Sequence, residues 1–593
     1  MFQTFAATTS PDNGPARLAQ LRAQIATEGL DGFLVPRADA HQGEYVAACD
    51  ERLAWLTGFT GSAGFAAVLT DLAGVFIDGR YRLQVLDQIA DVFTPVHWPE
   101  TNLGDWLIEQ RPKGGNIGFD PWLHTVDEVT RLTKACADHN IALIPCDNLV
   151  DRIWKDRPAP PSAPFTAHPI EFAGESAVDK RRRVAQSVPC IITLPDSIAW
   201  LLNIRGTDIA RNPVPQAFAI LHTDGTVDLF ADPGKTDAIR DHLGVDVTVY
   251  DKATFLAHLG TLSGPVQIDP KSCPQAVRGT LHAVGVMTQK GDDPCILPKA
   301  RKNPVEIAGV KAAHLRDGAA MVRFLAWLDA EGPKGQLCEI DVVKQLENFR
   351  RDTNQLRDIS FETICGAGAH GAIVHYRVTE ETNAPVTPGN LLLVDSGGQY
   401  SDGTTDITRT IAIGTATDEH RACYTRVLQG MIAISRTRFP KGIAGQHLDA
   451  LARFPLWSEG MDYDHGTGHG VGSYLSVHEG PQGISRRATV ALEAGMILSN
   501  EPGYYRTGAF GIRIENLITV IPAPDLPGAD QREMFAFETL TFVPLDRALI
   551  DASLLSTQER DWINGYHAQT QAKIAPLVQG DALDWLTAAC APL

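Results

Sequence analysis

Two aspartates in the C-terminal half of the chain lie where turns bring strands together. Asp395 ends the apolar run 391–394 and is followed by the turn-forming sequence Ser-Gly-Gly. Asp406 lies on a strand predicted after a second turn signal at 401–403. On adjacent strands the two carboxylates would repel unless one takes a proton or a cation lies between them. The pair therefore predicts a charge-sharing site, whereas one aspartate beside a turn is more often a simple turn residue.

Three histidines follow in a short glycine-rich segment. His465 and His469 lie in the sequence His-Gly-Thr-Gly-His-Gly, and His478 comes soon after, in a chain with only 18 histidines. Glycines let the backbone pass close to a ligand or to a neighbouring strand. Imidazole binds Zn, Mn, Fe or Co, and it also transfers protons near neutral pH. A single histidine is more often a core or surface residue, but this cluster favours metal binding or proton transfer.

Two glutamates complete the set. Glu501 directly precedes a proline turn, and Glu515 lies in the alternating sequence Gly-Ile-Arg-Ile-Glu-Asn, which is typical of a strand. A single glutamate in such a place is often neutralised by an arginine, and Arg409 and Arg513 are candidates for that pairing. Neither glutamate therefore indicates a function by itself.

Taken together, these residues form an oxygen-rich ligand set of four carboxylates and one imidazole: Asp395, Asp406, His469, Glu501 and Glu515. Such ligands favour divalent Mn, Co, Mg or Zn over copper or an iron–sulfur cluster. Four carboxylates exceed what one zinc ion normally uses, but they match two metal ions bridged by carboxylates. A metal pair lowers the pKa of a bound water and polarises a carbonyl under attack. The set therefore predicts a hydrolase that works with two metal ions.

The composition excludes several classes of protein. The chain has 593 residues, of which 44% are hydrophobic and 21% charged, as expected for a globular enzyme of several domains. A formal net charge of -19 argues against nonspecific binding to nucleic acid. There is no apolar run long enough to cross a membrane, and the N-terminal sequence lacks the features of a secretory signal. Ten scattered cysteines without a Cys-X-X-Cys pair indicate buried thiols in a reducing compartment, so we expect a cytoplasmic enzyme.

Three stretches of chain must position the ligand set. Alternating strand and helix patterns predict an α/β domain over residues 1–157, which ends in a proline-rich linker. A second α/β stretch, 158–298, has elements of similar length, which allows a duplicated fold although no sequence repeat establishes one. The third stretch, 299–593, begins with a long amphipathic helix, carries all five ligands and ends in a helical extension from about 546.

Two segments carry no feature that indicates chemistry. We expect the residues before Pro15 to form a flexible terminus. The insertion-like segment 522–533 is rich in proline and charged residues, and we expect a surface loop there.

The order Asp, Asp, His, Glu, Glu, with its flanking motifs, resembles the metallopeptidase family with the pita-bread catalytic fold. That family includes methionine aminopeptidases, prolidases and aminopeptidase P, and the likeness is greatest to the three-domain, cytoplasmic type of aminopeptidase P. It covers essentially the whole chain and rests on long motifs: DAHQGEYVAACDERLAWLTGFTGSAG (39–64), DGRYRLQ (78–84), DSIAWLLNIRG (196–206), AIVHYRV (372–378), DSGGQYSDGTTDITRT (395–410), HGTGHGVGSYLSVHEGP (465–481), SNEPGYY (499–505) and GIRIEN (511–516). The resemblance implies two creatinase-like N-terminal α/β domains, followed by a pita-bread catalytic domain.

The resemblance also implies a role for each ligand. Asp395 would bind one metal ion, and His469 and Glu501 would bind the other. Asp406 and Glu515 would bridge the two ions. Glu501 would also act as general base, together with the water between the metals. The family usually uses two Mn²⁺ ions, with Co²⁺ or Zn²⁺ as alternatives.

Further residues match positions that contact the substrate in this family. His375, His465 and His478 match histidines that contact substrate and handle protons, and the ligand His469 lies with them in the substrate site. Arg80 matches an arginine that reaches the peptide. Because the family is dimeric, we expect a homodimer, in which Arg80 acts within its own subunit or across the interface. The implied reaction removes the N-terminal residue of peptides that have proline second.

A site for such peptides must accept the proline ring and a tertiary amide without an N–H group. Tyr376 and Tyr504 are candidates for contact with the ring, although core packing explains them equally well. Prolidase, which cuts only dipeptides, is the nearest alternative, and two full N-terminal domains favour aminopeptidase P over it. A non-catalytic binding protein or a creatine amidinohydrolase would lack the metal ligands, and all five positions are intact here.

Overall fold

The computed structural model describes residues 1–98 and 100–593. They form two compact units. The N-terminal unit is Thr8–Pro298, and the C-terminal unit combines Met1–Ala7 with Lys299–Leu593. The chain therefore begins in the C-terminal unit and returns to it at Lys299.

The first half of the N-terminal unit is a six-stranded mixed sheet with helices. Its strands are β1 (Gly32–Pro36), β2 (Phe65–Leu69), β3 (Ala73–Ile77), β4 (Thr94–His97), β5 (Gly115–Phe119) and β6 (Ile141–Pro145). Its helices are α1 (Gly14–Thr27), α2 (Arg52–Thr57), α3 (Gln84–Gln88), α4 (Leu103–Gln110), α5 (Val126–Cys136) and α6 (Leu149–Ile153). The strand order is β4-β3-β2-β1-β5-β6. Strand β2 is antiparallel to β1 and β3, and the other three pairs are parallel.

The second half of the N-terminal unit has the same architecture. Its strands are β7 (Thr166–Ala167), β8 (Cys190–Ile192), β9 (Ile204–Arg205), β10 (Phe218–Leu221), β11 (Val227–Ala231), β12 (Val247–Asp251), β13 (Val266–Ile268) and β14 (Thr288–Lys290). Its helices are α7 (Ile170–Ala173), α8 (Ala177–Val184), α9 (Pro195–Leu202), α10 (Arg240–Leu243), α11 (Phe255–Leu259) and α12 (Gln275–Ala283). The main sheet has the order β12-β11-β10-β8-β13-β14, with the same pattern of parallel and antiparallel pairs. This shared topology is the duplication that the sequence alone did not establish.

The C-terminal unit contains four sheets and the longest helix. Helix α13 (Ile296–Ala300) leads into it, and its helices are α14 (Pro304–Glu331), α15 (Glu339–Arg351), α16 (Asp418–Arg436), α17 (Asp449–Trp457), α18 (Thr557–Ile574) and α19 (Asp581–Ala589). Its strands are β15 (Leu356–Ile359), β16 (Ile364–Ala367), β17 (Leu391–Ser396), β18 (Gly398–Tyr400), β19 (Gly403–Thr404), β20 (Ile407–Ala412), β21 (Arg438–Pro440), β22 (Gly468–Gly470), β23 (Glu479–Ile484), β24 (Ile497–Asn500), β25 (Gly503–Arg506), β26 (Phe510–Arg513), β27 (Asn516–Pro522) and β28 (Met534–Thr539).

Two of these sheets matter most for the predicted ligands. One has the order β16-β17-β20 and the other β21-β28-β27-β24-β22-β23. Helix α14 starts at a capping box formed by Asn303 and Glu306, with Pro304 at its first position. Its apolar side chains pack into two hydrophobic clusters of this unit, one with α16 and α18 and one with β16 and β17. The long helix thus gives both clusters a common support.

The termini and loops differ from expectation in one place. The expected flexible terminus is wrong for Met1–Ala7, because Phe5 is buried in a core cluster and Gln3 is also buried. The segment 522–533 connects β27 to β28 and is mostly exposed, which confirms the expected surface loop. Among the described residues, no helix is both long and apolar enough to cross a membrane.

Candidate metal centre

The predicted ligands lie at the ends of strands or in short breaks between them. Asp395 is the penultimate residue of β17, where it is paired with Ile364 of β16 and Thr408 of β20. Asp406 was predicted on a strand, but it lies in the break between β19 and β20. A break is suitable for a ligand, because the backbone there is free of the alternating up-and-down direction that a strand imposes on side chains.

The other three predicted ligands come from the neighbouring sheet. His469 is the central residue of β22, and Glu501 directly follows β24. Glu515 lies in the break between β26 and β27, at the end of the alternating segment noted in the sequence. The backbone N–H of Glu501 donates to the carbonyl of Thr467 at 2.8 Å, which fixes the chain as it leaves β24.

His469 brings two of the carboxylates together. Its Nε2 lies 3.5 Å from Asp406 Oδ2 and 3.5 Å from Glu501 Oε1. Its Nδ1 lies 2.9 Å from the carbonyl oxygen of Gly470. A carbonyl only accepts, so Nδ1 carries a proton, and Nε2 is the ring atom that faces the two carboxylates. Asp406, His469 and Glu515 each place one ligand atom within 4.8 Å of the others, close enough to hold one metal ion.

Three buried carboxylates each have an oxygen without a hydrogen-bond partner in the described part of the chain. These atoms are Asp395 Oδ1, Asp406 Oδ1 and Glu515 Oε1. The other oxygens of two of them do have donors: Arg513 Nη2 donates to Asp395 Oδ2 at 2.7 Å, and the Thr408 hydroxyl donates to Glu515 Oε2 at 2.8 Å. Leaving a buried anionic oxygen unpaired is costly. Divalent cations fit this donor set, because they would satisfy all three oxygens at once.

The crowding of charge perturbs the pKa values of the ligands. Burial raises the pKa of Asp395 to about 6, with Asp406 and Glu501 adding to the rise and Arg513 opposing it. Burial and the neighbouring Asp406 and Asp395 also hold the pKa of Glu515 well above its usual range. For His469, burial alone would lower the pKa, but the hydrogen bond to Asp406 and the charge of Glu501 raise it to about 9. The cluster therefore attracts positive charge strongly.

Arg513 is the central residue that the sequence did not assign to the site. Its guanidinium is fully buried and donates to Asp395, to the Tyr505 hydroxyl at 2.6 Å and to the carbonyl of Val374 at 3.3 Å. The sequence offered it only as a partner for a glutamate, and the alternating motif around it gave no sign of its partners. The Tyr505 hydroxyl is also 2.8 Å from His465 Nε2. Arg513 thus links the ligand Asp395 with the backbone beside His375 and, through Tyr505, with His465.

The predicted histidines differ in how directly they contact the predicted ligands. The ring of His478 packs edge-on against that of His469, with centroids 4.4 Å apart. His465 reaches the ligands through Tyr505 and Arg513, and its Nδ1 lies 2.8 Å from the carbonyl of Gly466. His375 is half-buried and directly follows Val374, whose carbonyl accepts from Arg513.

Arg80 and the two candidate tyrosines have other surroundings. Arg80 belongs to the N-terminal unit, where it forms an ion pair with Asp78 at 2.6 Å. Tyr376 is buried in the core, and its hydroxyl donates to Glu339 at 3.0 Å. Tyr504 is half-buried and packs against another core cluster. Core packing therefore accounts for both tyrosines.

A second buried charge cluster lies directly beside the site. Glu479, the residue after His478, is 2.6 Å from Lys299 Nζ and forms an even shorter ion pair with Lys302. All three side chains are almost completely buried. Since Lys299 is the first residue after the N-terminal unit, the entry of the chain into the C-terminal unit is fixed next to a predicted site histidine.

Comparison with known sequences places the chain in a family. The profile of Metallopeptidase family M24 matches residues 308–522, and the C-terminal region of that family matches 533–593. Two profiles described as Creatinase/Prolidase N-terminal domain match residues 17–153 and 156–306. The chain is 40% identical to Aminopeptidase P1 of Arabidopsis thaliana, over 97% of this chain and 99% of the relative. It is 39% identical to a probable Xaa-Pro aminopeptidase P of Laccaria bicolor, over 98% of this chain and 94% of the relative.

The chain belongs to the aminopeptidase P family of metallopeptidases. A solved structure agrees: the X-prolyl aminopeptidase of Caenorhabditis elegans, described as a cytosolic enzyme with a di-nuclear active site, is 32% identical and has a TM-score of 0.94. The superposition covers 98% of this chain and 100% of that one. As a member of the aminopeptidase P family, the chain is a metallopeptidase. The expected fold class, two creatinase-like α/β domains followed by a pita-bread catalytic domain, is confirmed.

Proposed function

We propose that this enzyme hydrolyses the bond between the first residue of a peptide and a proline in second position. The observation that supports this most directly is that Asp406, His469 and Glu515 place ligand atoms within 4.8 Å of one another. In addition, three of the five predicted ligands leave a buried carboxylate oxygen unpaired. The full-length relatives named aminopeptidase P favour this reaction over that of a prolidase.

In the proposed site, Asp395 would hold one divalent ion, His469 and Glu501 would hold the other, and Asp406 and Glu515 would serve both. The 3.5 Å distances from His469 Nε2 to Asp406 and to Glu501 support this division. Metal ions in such a set acidify a bound water and polarise the carbonyl that it attacks. Mn²⁺ is the ion we propose, with Co²⁺ or Zn²⁺ as alternatives, because four of the five ligands are hard oxygen donors.

The chain's own residues handle substrate and protons. Glu501 is the proposed general base: its Oε1 accepts from the Ser499 hydroxyl at 3.2 Å, which orients the carboxylate. His478, packed edge-on against His469, and His465, held by the Tyr505 hydroxyl, are proposed to contact the substrate and move protons. His375 has the same proposed role.

Arg80 is proposed to bind the peptide, within its own subunit or across a dimer. Asp78 both pairs with its guanidinium and accepts from its backbone N–H at 3.0 Å, which defines the orientation of the arginine.

We also propose a homodimer in the cytoplasm. One face of α17 presents Leu451, Phe454 and Trp457, which are 42%, 67% and 43% exposed. Residues three apart on a helix lie on the same side, and an exposed apolar face of this kind is typical of a protein contact. All ten cysteines are free thiols, and the Caenorhabditis elegans relative is described as cytosolic, which supports the cytoplasmic location.

The substitution Asp406→Asn tests the proposed function. It keeps the shape of the side chain but removes a charge that both metal ions are proposed to share, so hydrolysis of the tripeptide Arg-Pro-Pro should be abolished while the fold, measured by circular dichroism, is retained. Asp402→Asn is the matched control, because Asp402 lies in the adjacent turn and pairs with Arg316 at 2.6 Å. Retained activity in Asp406→Asn would refute the two-metal site. Cleavage of Xaa-Pro dipeptides alone, with none of longer peptides, would identify a prolidase instead.

A further inference from the structure

The first residues of the chain form part of the C-terminal unit. We call Met1–Ala7 the N-terminal strap, because these residues pack on the C-terminal unit before the chain enters the N-terminal unit. Gln3 and Phe5 are buried, whereas Thr4 and Ala6 between and after them are exposed. Such alternation is typical of an extended segment with one face against a core.

One end of the strap binds a buried carboxylate. Glu347 of α15 accepts from the backbone N–H groups of Phe2 at 2.8 Å and Gln3 at 3.3 Å, and its side chain is only 3% exposed. The side-chain amide of Gln3 pairs with the backbone of Thr363 in both directions, at 2.9 Å and 3.3 Å. Thr363 directly precedes β16, the strand that pairs with β17 opposite the predicted ligand Asp395. The strap is thus hydrogen-bonded to the residue that precedes β16, in the sheet that carries Asp395.

The other end of the strap supports the segment 373–382, which contains His375. The carbonyl of Phe5 accepts from the backbone N–H of Glu380 at 2.8 Å, and the carbonyl of Thr4 accepts from Arg377 Nη2 at 3.3 Å. The ring of Phe5 belongs to the same core cluster as Tyr376 and Val378. The chain that directly follows His375 is therefore anchored partly by the strap.

This support falls on a part of the chain without regular secondary structure. After the short turn of helix at 368–372, no helix or strand is assigned until β17 begins at Leu391. Such segments open more easily than strands or helices, because fewer backbone hydrogen bonds hold them. Here the strap contributes one backbone–backbone hydrogen bond, from the N–H of Glu380 to the carbonyl of Phe5, of the kind that a neighbouring strand would otherwise supply.

We propose that the N-terminal strap is a positioning element of the active site: it fixes the backbone that follows His375 so that this histidine is presented to the substrate in one orientation. The proposal rests on the proposed function, since the effect on catalysis depends on His375 acting there. The strap residues do not touch the reacting atoms, so they act through the 373–382 segment.

A variant lacking residues 2–6 and the double variant Gln3→Ala/Phe5→Ala test the proposal. Hydrogen–deuterium exchange of segment 373–382 should be faster in both, because bonds to its backbone are lost or weakened. The kcat for Arg-Pro-Pro should fall by about ten- to a hundredfold, the order expected when a catalytic group is displaced by about 1 Å. KM and the bound metal content should change little. Phe5→Leu should retain most of the activity, and Ala6→Ser, at an exposed strap position, should match the wild type.

The outcomes separate the two proposals. Unchanged exchange in segment 373–382, or a kcat within about twofold of wild type after the deletion, would overturn the strap proposal. A parallel loss of metal content and kcat would also overturn it, since the strap would then support the fold and not the histidine. Failure of the wild-type enzyme to cleave Arg-Pro-Pro would refute the proposed function, while the exchange measurement would still decide whether the strap fixes the segment.

Discussion

Removing the single acid from the buried Lys299–Glu479–Lys302 cluster should be far more damaging than removing one of its lysines. In Glu479→Gln, two buried ammonium groups would lose the carboxylate that pairs with both of them, and breaking a buried ion pair in this way costs about 3–5 kcal/mol. In Lys302→Met, one lysine and one glutamate remain as a balanced pair, and the methionine stem fills a similar volume. We expect that change to cost about 1 kcal/mol, the ordinary effect of a single substitution.

Scanning calorimetry measures the difference. A chain of several domains does not unfold in one step, so the midpoint of the transition of the C-terminal unit is the quantity to compare. Glu479→Gln should lower that midpoint by about 5–15 °C, and Lys302→Met by only a few degrees. Lys311→Met is the matched control, because Lys311 pairs with Glu538 on the surface, where both side chains are about 40% exposed. It should change the midpoint little, since exposed ion pairs contribute little.

The pH dependence gives a second check on the same cluster. Burial lowers the pKa of Lys302 below its ordinary value of 10.5, and the charge of Glu479 opposes the shift. Between the lowered folded value and 10.5 the unfolded chain binds more protons, so this group makes the wild type more stable as pH rises through that window. Lys302→Met should lack that rise. Equal damage from Glu479→Gln and Lys302→Met at neutral pH would refute the charge-balance argument.

Two further predictions follow from the metal ligands and from α17. Because the pKa of Asp395 is raised to about 6 and that of His469 to about 9, metal binding must displace protons, and affinity should rise with pH across this interval. Calorimetric titration of metal-free enzyme at pH 7, in buffers of different ionisation enthalpy, should detect released protons, and their absence would contradict these pKa values. Phe454→Glu with Trp457→Glu should convert a dimer to a monomer in light scattering, with Leu577→Glu, another exposed apolar position at 50% exposure, as control. An unchanged mass would reject α17 as the interface.

Sequence patterns predicted helices and strands well where a single contiguous run of residues determines the element. The apolar run 391–394 lies in β17, and the third stretch begins with the long helix α14, as predicted. Asp406, predicted on a strand, lies instead in the break between β19 and β20. Periodicity reports which face of an element is apolar, but not which turn interrupts it.

Long-range partners could not be predicted from the same patterns. The sequence offered Arg513 as the partner of a glutamate, and its guanidinium is 4.0 Å from Glu501, but its closer partner at 2.7 Å is Asp395, more than a hundred residues away in the chain. The strap was missed for the same reason: Gln3 and Phe5 give too short an alternation to indicate a partner, and Glu347 and Thr363 lie far along the chain. Sequence motifs indicate which residues are ligands, whereas only the fold shows which side chains and backbone groups hold those ligands in place.

The ligand set itself explains why charge, more than shape, must organise this site. Four buried or half-buried carboxylates, Asp395, Asp406, Glu501 and Glu515, face one guanidinium and one imidazole. Burial and the repulsion between these carboxylates raise the pKa values of Asp395 and Glu515, because protonation relieves both. A protonated carboxyl group, however, is a poor metal ligand. Two divalent cations would remove the excess charge and let every carboxylate stay ionised, and they would free His469 to be a neutral ligand through Nε2. Arg513 is then best understood as a fixed positive charge that keeps Asp395 oriented in either state, because its four partners hold the guanidinium in place whether or not a cation is bound.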